Sequence, residues 1–89
     1  MIERKGVKIA KLLNWTVFKI DGKNQIGAPD RVFAKGNCYC FIEFKGLCEP
    51  LSAKQKHTHS IMREQGVNVE VVRTLTAFKA LLWGMEILV

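Results

Sequence analysis

Three side chains in this chain have the types and spacing that hydrolysis of a phosphodiester requires. Asp30 follows a proline turn at residues 27–29, and Glu43 and Lys45 lie two positions apart on what reads as a strand. Side chains alternate along a strand, so Glu43 and Lys45 are expected on the same face of a sheet. Carboxylates bind Mg²⁺ or Mn²⁺, while a lysine neutralises charge or orients the attacking water.

The composition predicts one small basic domain. A chain of 89 residues has room for a single domain over residues 1–89, with a core of modest size. The hydrophobic fraction of 48% indicates that a partner chain covers some apolar surface. The 14 basic and 8 acidic residues give a net charge of +6, which favours anionic partners such as nucleic acid or acidic lipid.

The pattern argues against several other classes of protein. No apolar run of about eighteen residues is present, so we expect no transmembrane helix. The charges at residues 3–5 precede no long apolar stretch, so we expect no signal peptide. Three cysteines without a secretion signal, Cys38, Cys40 and Cys48, predict reduced thiols in a cytoplasm. A zinc site is disfavoured because no fourth ligand is nearby.

The hydrophobic pattern predicts an α/β fold, a mixed sheet of about four strands with helices on its faces. A tight turn at Gly36-Asn37 makes the second and third strands a β-hairpin, and a long connection allows a parallel crossover to the fourth. Asn14 ends the first helix, in which Gly6 weakens the helical pattern, and a loop runs to Gln25. The predicted order is helix, three strands, helix, strand and helix, over residues 1–13, 15–20, 31–35, 38–45, 52–65, 67–72 and 74–83.

Cap signals mark the ends of the later helices. Ser52 and Gln55 have the spacing of a capping box, in which each side chain satisfies a backbone N–H at the helix start. Gly66 is expected to end the same helix as its C-cap. Thr74, or alternatively Thr76, caps the last helix. The capping box places Gln55 in the first turn of the helix that follows the third strand.

These motifs carry a family resemblance. A Pro-Asp pair followed on the next strand by Glu-x-Lys resembles the nuclease fold of restriction enzymes, the PD-(D/E)xK superfamily. A longer pattern, which covers almost the whole chain, is similar to the VRR-NUC domain. Its parts are Gly27-x-Pro29-Asp30-Arg31, Glu43-x-Lys45, Gln55 and the triplet Val71-Val72-Arg73. The small size resembles the stand-alone members of this family that are found in phages.

The resemblance implies a DNA endonuclease that depends on Mg²⁺ or Mn²⁺. The metal ligands that it implies are Glu3, Asp30, Glu43 and the backbone carbonyl of Phe44. The catalytic residues that it implies are Asp30, Glu43, Lys45 and Gln55. Family members resemble Holliday-junction resolvases, so we expect a homodimer that cuts four-way junctions or flaps. Its location would be the cytoplasm, in a bacterial host cell if a phage encodes it.

Each of these residues also has a purely structural interpretation. Asp30 could be an ordinary turn residue after proline, and Glu43 could pair with Lys45 or Arg31 on a solvated face. Lys45 could lie at a solvated strand end, and Gln55 could serve only the capping box. The combination of motifs favours the functional interpretation, and the two roles of Gln55 do not conflict.

Basic side chains outside the motif are candidates for contacts with the DNA backbone. Lys54, Lys56, His57 and His59 predict a basic helix face, which is either simply solvated or in contact with phosphates. His57 and His59 are two positions apart and therefore face different sides of a helix, which argues against a histidine metal pair. The other candidates are Lys19, Lys23 and Arg73.

The last apolar segment, residues 78–85, is either core or an interface. We expect a homodimer interface, because so short a chain covers few apolar groups alone. Two other functions remain open: a DNA-structure-binding module on the nuclease fold that does little cutting, and a small dimerising interaction protein. The presence of Asp30, Glu43 and Lys45 together speaks against the first, and the second predicts no affinity for DNA.

Overall fold

The computed structural model describes residues 2–21 and 27–87 of the chain. Lys23 and the end of the predicted loop at Gln25 lie outside the described residues. The described residues form three helices and four strands in the predicted order. These elements are α1 (Ile2–Leu12), β1 (Thr16–Lys19), β2 (Arg31–Lys35), β3 (Cys38–Phe44), α2 (Ala53–Glu64), β4 (Val69–Val72) and α3 (Leu75–Ile87).

The four strands form one mixed sheet in the order β1-β2-β3-β4. The first three strands are antiparallel neighbours, and Lys35 pairs with Cys38 on either side of the hairpin turn. After the crossover through α2, β4 runs parallel to β3, with Phe41 opposite Val69. The predicted α/β class, the hairpin and the parallel crossover are therefore confirmed.

The main core lies between the sheet and the helices α1 and α3. Phe33 and Ile42 from the sheet and Phe78 and Leu82 from α3 are almost completely buried there. The ring of Phe78 meets that of Phe33 edge-on, with the ring centroids 5.3 Å apart. Aromatic pairs in this geometry stabilise a core beyond the area that they bury. The core thus fixes α1 and α3 against the strands that carry the candidate site.

The cap signals are confirmed at the start of α2 and α3. Ser52 Oγ accepts a hydrogen bond from the Gln55 N–H at 3.1 Å, and Gln55 Oε1 accepts one from the Ser52 N–H at 2.9 Å. Thr74 Oγ1 accepts from the Ala77 N–H at 3.0 Å. Asn14 follows α1 with a left-handed φ of 68°, as its predicted role as a stop requires.

The last helix is longer than predicted. It continues past Trp83 to Ile87, and Glu86 in its last turn accepts hydrogen bonds from side chains distant in sequence. Trp15 donates from Nε1 at 3.2 Å and Lys35 donates from Nζ at 2.7 Å. The predicted end near Trp83 is therefore wrong. Local apolar spacing could not predict the true end, because it carries no information about these contacts.

The fourth strand is shorter than predicted because its first residues complete the end of α2. The N–H of Val67 donates to the carbonyl of Met62 at 2.9 Å, and the N–H of Gly66 donates to the carbonyl of Arg63 at 3.0 Å. Gly66 lies directly after the C-cap residue and has a φ of +81°, a conformation that favours glycine. The strand consequently begins at Val69.

No helix in the described part of the chain is long and apolar enough to cross a bilayer. The thiols of Cys38, Cys40 and Cys48 are free. Burial raises the pKa of the Cys40 thiol to about 12, which makes it an unreactive core residue. The location in a reducing cytoplasm stays a prediction.

Gly6, which weakens the helical pattern of α1, has a packing role. A Cβ atom at Gly6 would lie 3.2 Å from Phe78 Cε2 and 3.3 Å from Phe44 Cε1. Both distances are shorter than ordinary van der Waals contact, so a side chain at this position must displace the rings. The helix therefore loses some intrinsic propensity at Gly6 and gains close contact with the aromatic core.

We predict opposite effects for substitutions at two helical glycines. Gly6→Val should lower the free energy of unfolding by about 1–3 kcal/mol, because its γ-carbons overpack the core. Gly84→Ala in α3 should raise it by about 0.5–1 kcal/mol, because nothing lies within 4 Å of the added Cβ. Urea unfolding followed by circular dichroism measures both. A Gly6→Val variant as stable as the wild type would contradict the packing role.

Candidate active site

The candidate site forms where β2 begins and β3 ends. Arg31 pairs with Ile42 in the hairpin, so the register carries Asp30 opposite Glu43. Glu43 is 3% exposed, which is unusual for a carboxyl group. Pro29 is also buried and leads the chain into β2 at this point. The hairpin thus brings two carboxyl groups, which are distant in sequence, to adjacent positions on neighbouring strands.

A backbone hydrogen bond fixes the side chain of Asp30. The N–H of Phe44 donates to Asp30 Oδ2 at 2.8 Å. The Asp30 carboxylate is therefore bound to the end of β3, beside the peptide group that links Glu43 to Phe44. The carbonyl of Phe44, which the resemblance implies as a metal ligand, belongs to the same strand end.

The electrostatics of Glu43 are strongly perturbed. Burial, followed by the negative charge of Asp30 and a side-chain hydrogen bond with Asp30, raises the pKa of Glu43 from 4.5 to about 8. The charge of Glu3 adds to this effect, and the positive charge of Lys45 opposes it. Two carboxyl groups can hydrogen-bond to each other only while they share a proton. The surroundings of Glu43 therefore favour positive charge beside it.

The paired carboxyl groups fit a divalent cation that prefers oxygen ligands. Glu43 Oε1 is buried and, among the described residues, has no hydrogen-bond partner. A cation held by Asp30 and Glu43 would offset the repulsion between the two carboxylates. Within residues 2–21 and 27–87, no group of three or more His, Cys, Asp or Glu side chains is placed to hold a metal ion.

Glu3, the third carboxylate implied as a ligand, is held by a neighbouring arginine. Arg31 donates from Nε to Glu3 Oε2 at 2.9 Å, which joins the start of α1 to the start of β2. Arg31 therefore pairs with Glu3 in this structure and not with Glu43, the partner considered from sequence. The side chains of Arg31 and Glu3 are each about one quarter exposed.

Lys45 lies directly after β3 and is nearly buried. Its Nζ pairs with Glu49 Oε2 at 3.3 Å, and its side chain is 11% exposed. Glu49 also accepts from the Gly46 N–H at 3.1 Å, and this hydrogen bond, followed by the one from Lys45, lowers the pKa of Glu49. The amine is therefore ordered close to Glu43 and already binds an anionic oxygen.

Arg73, a predicted DNA contact, is engaged in binding the backbone of the loop after β3. Its Nη1 donates to the carbonyl of Gly46 at 2.7 Å and to the carbonyl of Glu49. These bonds fix the loop that carries the partner of Lys45. Arg73 and Leu47, which is 73% exposed, line the same surface depression.

Gln55 serves the capping box at the start of α2. Its Oε1 accepts from Ser52, so its carboxamide oxygen is committed to the helix and only its amide nitrogen could act elsewhere. Lys54, Lys56 and His57 are exposed on the same helix, as predicted for a basic face.

His59 does not belong to the solvated basic face that the sequence predicted. Its side chain is 0% exposed, and its Nε2 lies 3.7 Å from Glu43 Oε1. Neither ring nitrogen has a hydrogen-bond partner among the described residues. Burial first, and then the charge of Arg63, lower the pKa of His59. Its spacing of four from Gln55 places both on one helix face, but this spacing does not distinguish a buried histidine from a solvated one.

Lys19 is exposed at the end of β1, close to the candidate site. It pairs with Arg31 in the sheet register. The next residue, Ile20, donates its N–H to the backbone carbonyl of Asp30 at 3.0 Å. Lys19 is therefore two strands from Glu43, at the same end of the sheet as Asp30.

Comparison with known proteins supports the fold. No family model matches the chain, and no curated protein matches it. Among solved structures, a chain described as "VRR_NUC domain" matches with a TM-score of 0.81 and 23% sequence identity. The match covers 91% of this chain and 89% of that chain. The fold is therefore that of a VRR-NUC domain, and the structural resemblance predicted from the motifs is confirmed.

We predict that Asp30→Asn stabilises the protein in the absence of divalent cations. Folding raises the pKa of Glu43, so the free energy of unfolding falls as the pH rises from 4.5 to about 8. Above that pH the loss of stability is complete. At pH 8.5 the free energy of unfolding of the variant should exceed that of the wild type by on the order of 1 kcal/mol, because the substitution removes the negative charge that repels Glu43. The amide oxygen still accepts from the Phe44 N–H.

Urea unfolding in EDTA measures this difference. The matched control is Glu64→Gln, an exposed carboxylate at the end of α2, which should change stability by less than about 0.5 kcal/mol. An Asp30→Asn variant less stable than the wild type would show that the two carboxyl groups do not repel each other.

Proposed function

We propose that this protein is a divalent-metal-dependent endonuclease that hydrolyses phosphodiester bonds in DNA. The observation that carries the proposal is the placement of Asp30 beside the buried carboxyl group of Glu43, with the ordered amine of Lys45 directly after the same strand. A buried pair of carboxyl groups lowers stability unless positive charge compensates it, and such sites are concentrated at functional positions. The pair lies at the end of the hairpin formed by β2 and β3, in a chain whose fold is similar to that of a VRR-NUC domain, which supports the proposal.

Asp30, Glu43 and the carbonyl of Phe44 would hold Mg²⁺ or Mn²⁺, with Glu3 as a further ligand once it leaves Arg31. When bound, the ion would supply Lewis-acid activation of water and of the scissile phosphate. Asp30 keeps its orientation through the Phe44 N–H, so one ligand is ordered before binding. Burial excludes competing water from Glu43 and strengthens its attraction to a cation.

Lys45 would stabilise the negative charge that develops on the phosphate in the transition state. Its Nζ already binds a carboxylate oxygen of Glu49, and a phosphate oxygen would take that position. Because the side chain is nearly buried, its charge is weakly screened by solvent. Gln55 would support the site through its amide nitrogen while its oxygen caps α2.

The DNA backbone would contact the exposed basic side chains near the site. We propose Lys19, Lys54 and Lys56 as direct phosphate contacts, since all three are exposed. Arg73 would act alongside them, with its Nη1 holding the loop after β3. Phosphate contacts give position and strong salt dependence without reading the base sequence. A structure-specific substrate, such as a four-way junction or a flap, therefore fits this surface better than a base sequence does.

A homodimer would carry two such sites, which suits paired cuts in a branched substrate. Phe78 and Leu82, from the segment predicted as an interface, are core residues of the single chain. The apolar groups left exposed beside them are Leu12, Leu13 and Trp83, with exposures of 77%, 46% and 68%. We propose that these three side chains, called here the α1–α3 patch, form the dimer contact.

Cleavage of a labelled four-way junction tests the nuclease function. With Mg²⁺ or Mn²⁺ the wild type should cut the junction in preference to flap and linear duplex DNA, and EDTA should stop cutting. Lys45→Ala should lower the rate about 100- to 1000-fold, the cost of removing one group that stabilises transition-state charge. Lys11→Ala is the control, since Lys11 lies eight residues beyond Glu3 along α1, about 12 Å away.

The outcomes of this experiment distinguish a nuclease from a DNA-structure-binding module and from an interaction protein. Tight junction binding without cutting by either metal would favour a DNA-structure-binding module on the nuclease fold. The absence of both DNA binding and a metal effect on melting temperature would favour an interaction protein. Equal loss of activity in Lys11→Ala and Lys45→Ala would contradict the role proposed for Lys45.

The dimer is tested by light scattering at micromolar concentration. The wild type should have twice the chain mass of 10.1 kDa. Trp83→Arg should give a folded monomer, because a charge in the α1–α3 patch cannot be buried without a partner. Ile61→Arg, an exposed apolar position on α2, should leave the mass unchanged. A wild type with the mass of one chain would contradict the dimer.

A further inference from the structure

His59 is the buried polar group that the proposed chemistry leaves unused. Its imidazole is 0% exposed, and neither Nδ1 nor Nε2 has a hydrogen-bond partner among the described residues. The nearest acidic oxygen is Glu43 Oε1, 3.7 Å from Nε2, and this oxygen also lacks a described partner. Two unpartnered polar groups facing each other in a buried site indicate an interaction that forms only in another state of the site.

The position of His59 follows from the packing of α2 against the sheet. Glu43 lies opposite Val71 across the parallel strands β3 and β4, and α2 covers β4. The neighbouring cation does not compete for Glu43, because Arg63 donates from Nη2 to the carbonyl of Val69 at 3.0 Å. His59 is therefore the α2 side chain placed to contact the buried oxygen of Glu43.

A buried imidazole without a partner remains neutral, and a neutral imidazole has one donor and one acceptor. A carboxylate oxygen is a strong acceptor, and an Nε2–H at 3.7 Å from Glu43 Oε1 needs only a small shift to reach hydrogen-bond distance.

We propose, resting on the nuclease function above, that His59 is a positioning residue for Glu43. The Nε2–H of the neutral imidazole donates to Glu43 Oε1 and holds the carboxylate toward Asp30 when the pair binds a divalent cation. Groups that hydrogen-bond to metal-binding carboxylates fix their orientation, and their loss weakens metal binding about 10- to 100-fold. His59 itself touches neither the metal nor the DNA.

Calorimetric titration with MnCl₂ tests the proposal without relying on activity. His59→Leu keeps an apolar volume but removes the donor, so Mn²⁺ should bind at least about tenfold more weakly than to the wild type. His59→Gln keeps an N–H near the position of Nε2 and should recover most of the affinity. His57→Leu, an exposed histidine on the same helix, should bind Mn²⁺ like the wild type.

The melting temperature in EDTA separates positioning from a structural role. His59→Leu should melt at the wild-type temperature or above, because it removes two buried polar atoms that have no described partner. Equal Mn²⁺ affinities for the wild type and His59→Leu would overturn the positioning role and leave the metal site intact. A wild type that neither binds Mn²⁺ nor cuts DNA would overturn the nuclease proposal and the role of His59 together.

A measurement on the wild type keeps the proposal falsifiable if the leucine variant fails to fold. Long-range proton–nitrogen correlation spectra report which ring nitrogen of His59 carries the proton. We expect the Nε2–H tautomer, and a downfield shift of that proton when the diamagnetic ion Mg²⁺ is added. An Nδ1–H tautomer, or a His59 signal that Mg²⁺ leaves unchanged, would overturn the proposal.

Discussion

The organisation of this site depends on placing two carboxyl groups opposite each other at the buried end of a hairpin. Asp30 is held by the N–H of Phe44, and Glu43 is enclosed by the sheet and α2. Asp30 cannot move away from Glu43 without breaking its hydrogen bond to the backbone of Phe44. Their repulsion is therefore built into the fold, and it is relieved by positive charge, as a proton or as a cation.

The rest of the chain supports this arrangement on both sides of the sheet. The aromatic core of Phe33, Phe44 and Phe78 fixes β2 and β3 against α1 and α3, with Gly6 giving the rings room. On the other side, the capping box holds the start of α2 and thereby the position of His59. A domain of this size has a small margin of stability, so the repulsion between Asp30 and the buried Glu43 is a large cost. Positive charge beside the two carboxyl groups would offset that cost.

Much of the fold could be predicted from local sequence because its signals are local. The hairpin follows from a turn between β-branched and aromatic runs, and Ser52, Gln55 and Thr74 are side chains that satisfy backbone groups three residues away. The end of α3 could not be predicted, because Trp15 and Lys35 hold Glu86 from other parts of the chain. Contacts of this kind form only once the elements have packed.

The same distinction between local signals and contacts made by packing applies to the candidate site. Asp30, Glu43 and Lys45 could be predicted because their chemistry is encoded in motif spacing, and the hairpin register then brings them together. The burial of His59 could not, because a histidine between Lys56 and Arg63 resembles any solvated basic residue until α2 is docked on β4. His59 has no hydrogen-bond partner among the described residues, and its nearest acidic oxygen is Glu43 Oε1, 3.7 Å from Nε2. The residue of the candidate site that the sequence indicates least is therefore the one that joins the packing of α2 to the strands that carry Asp30 and Glu43.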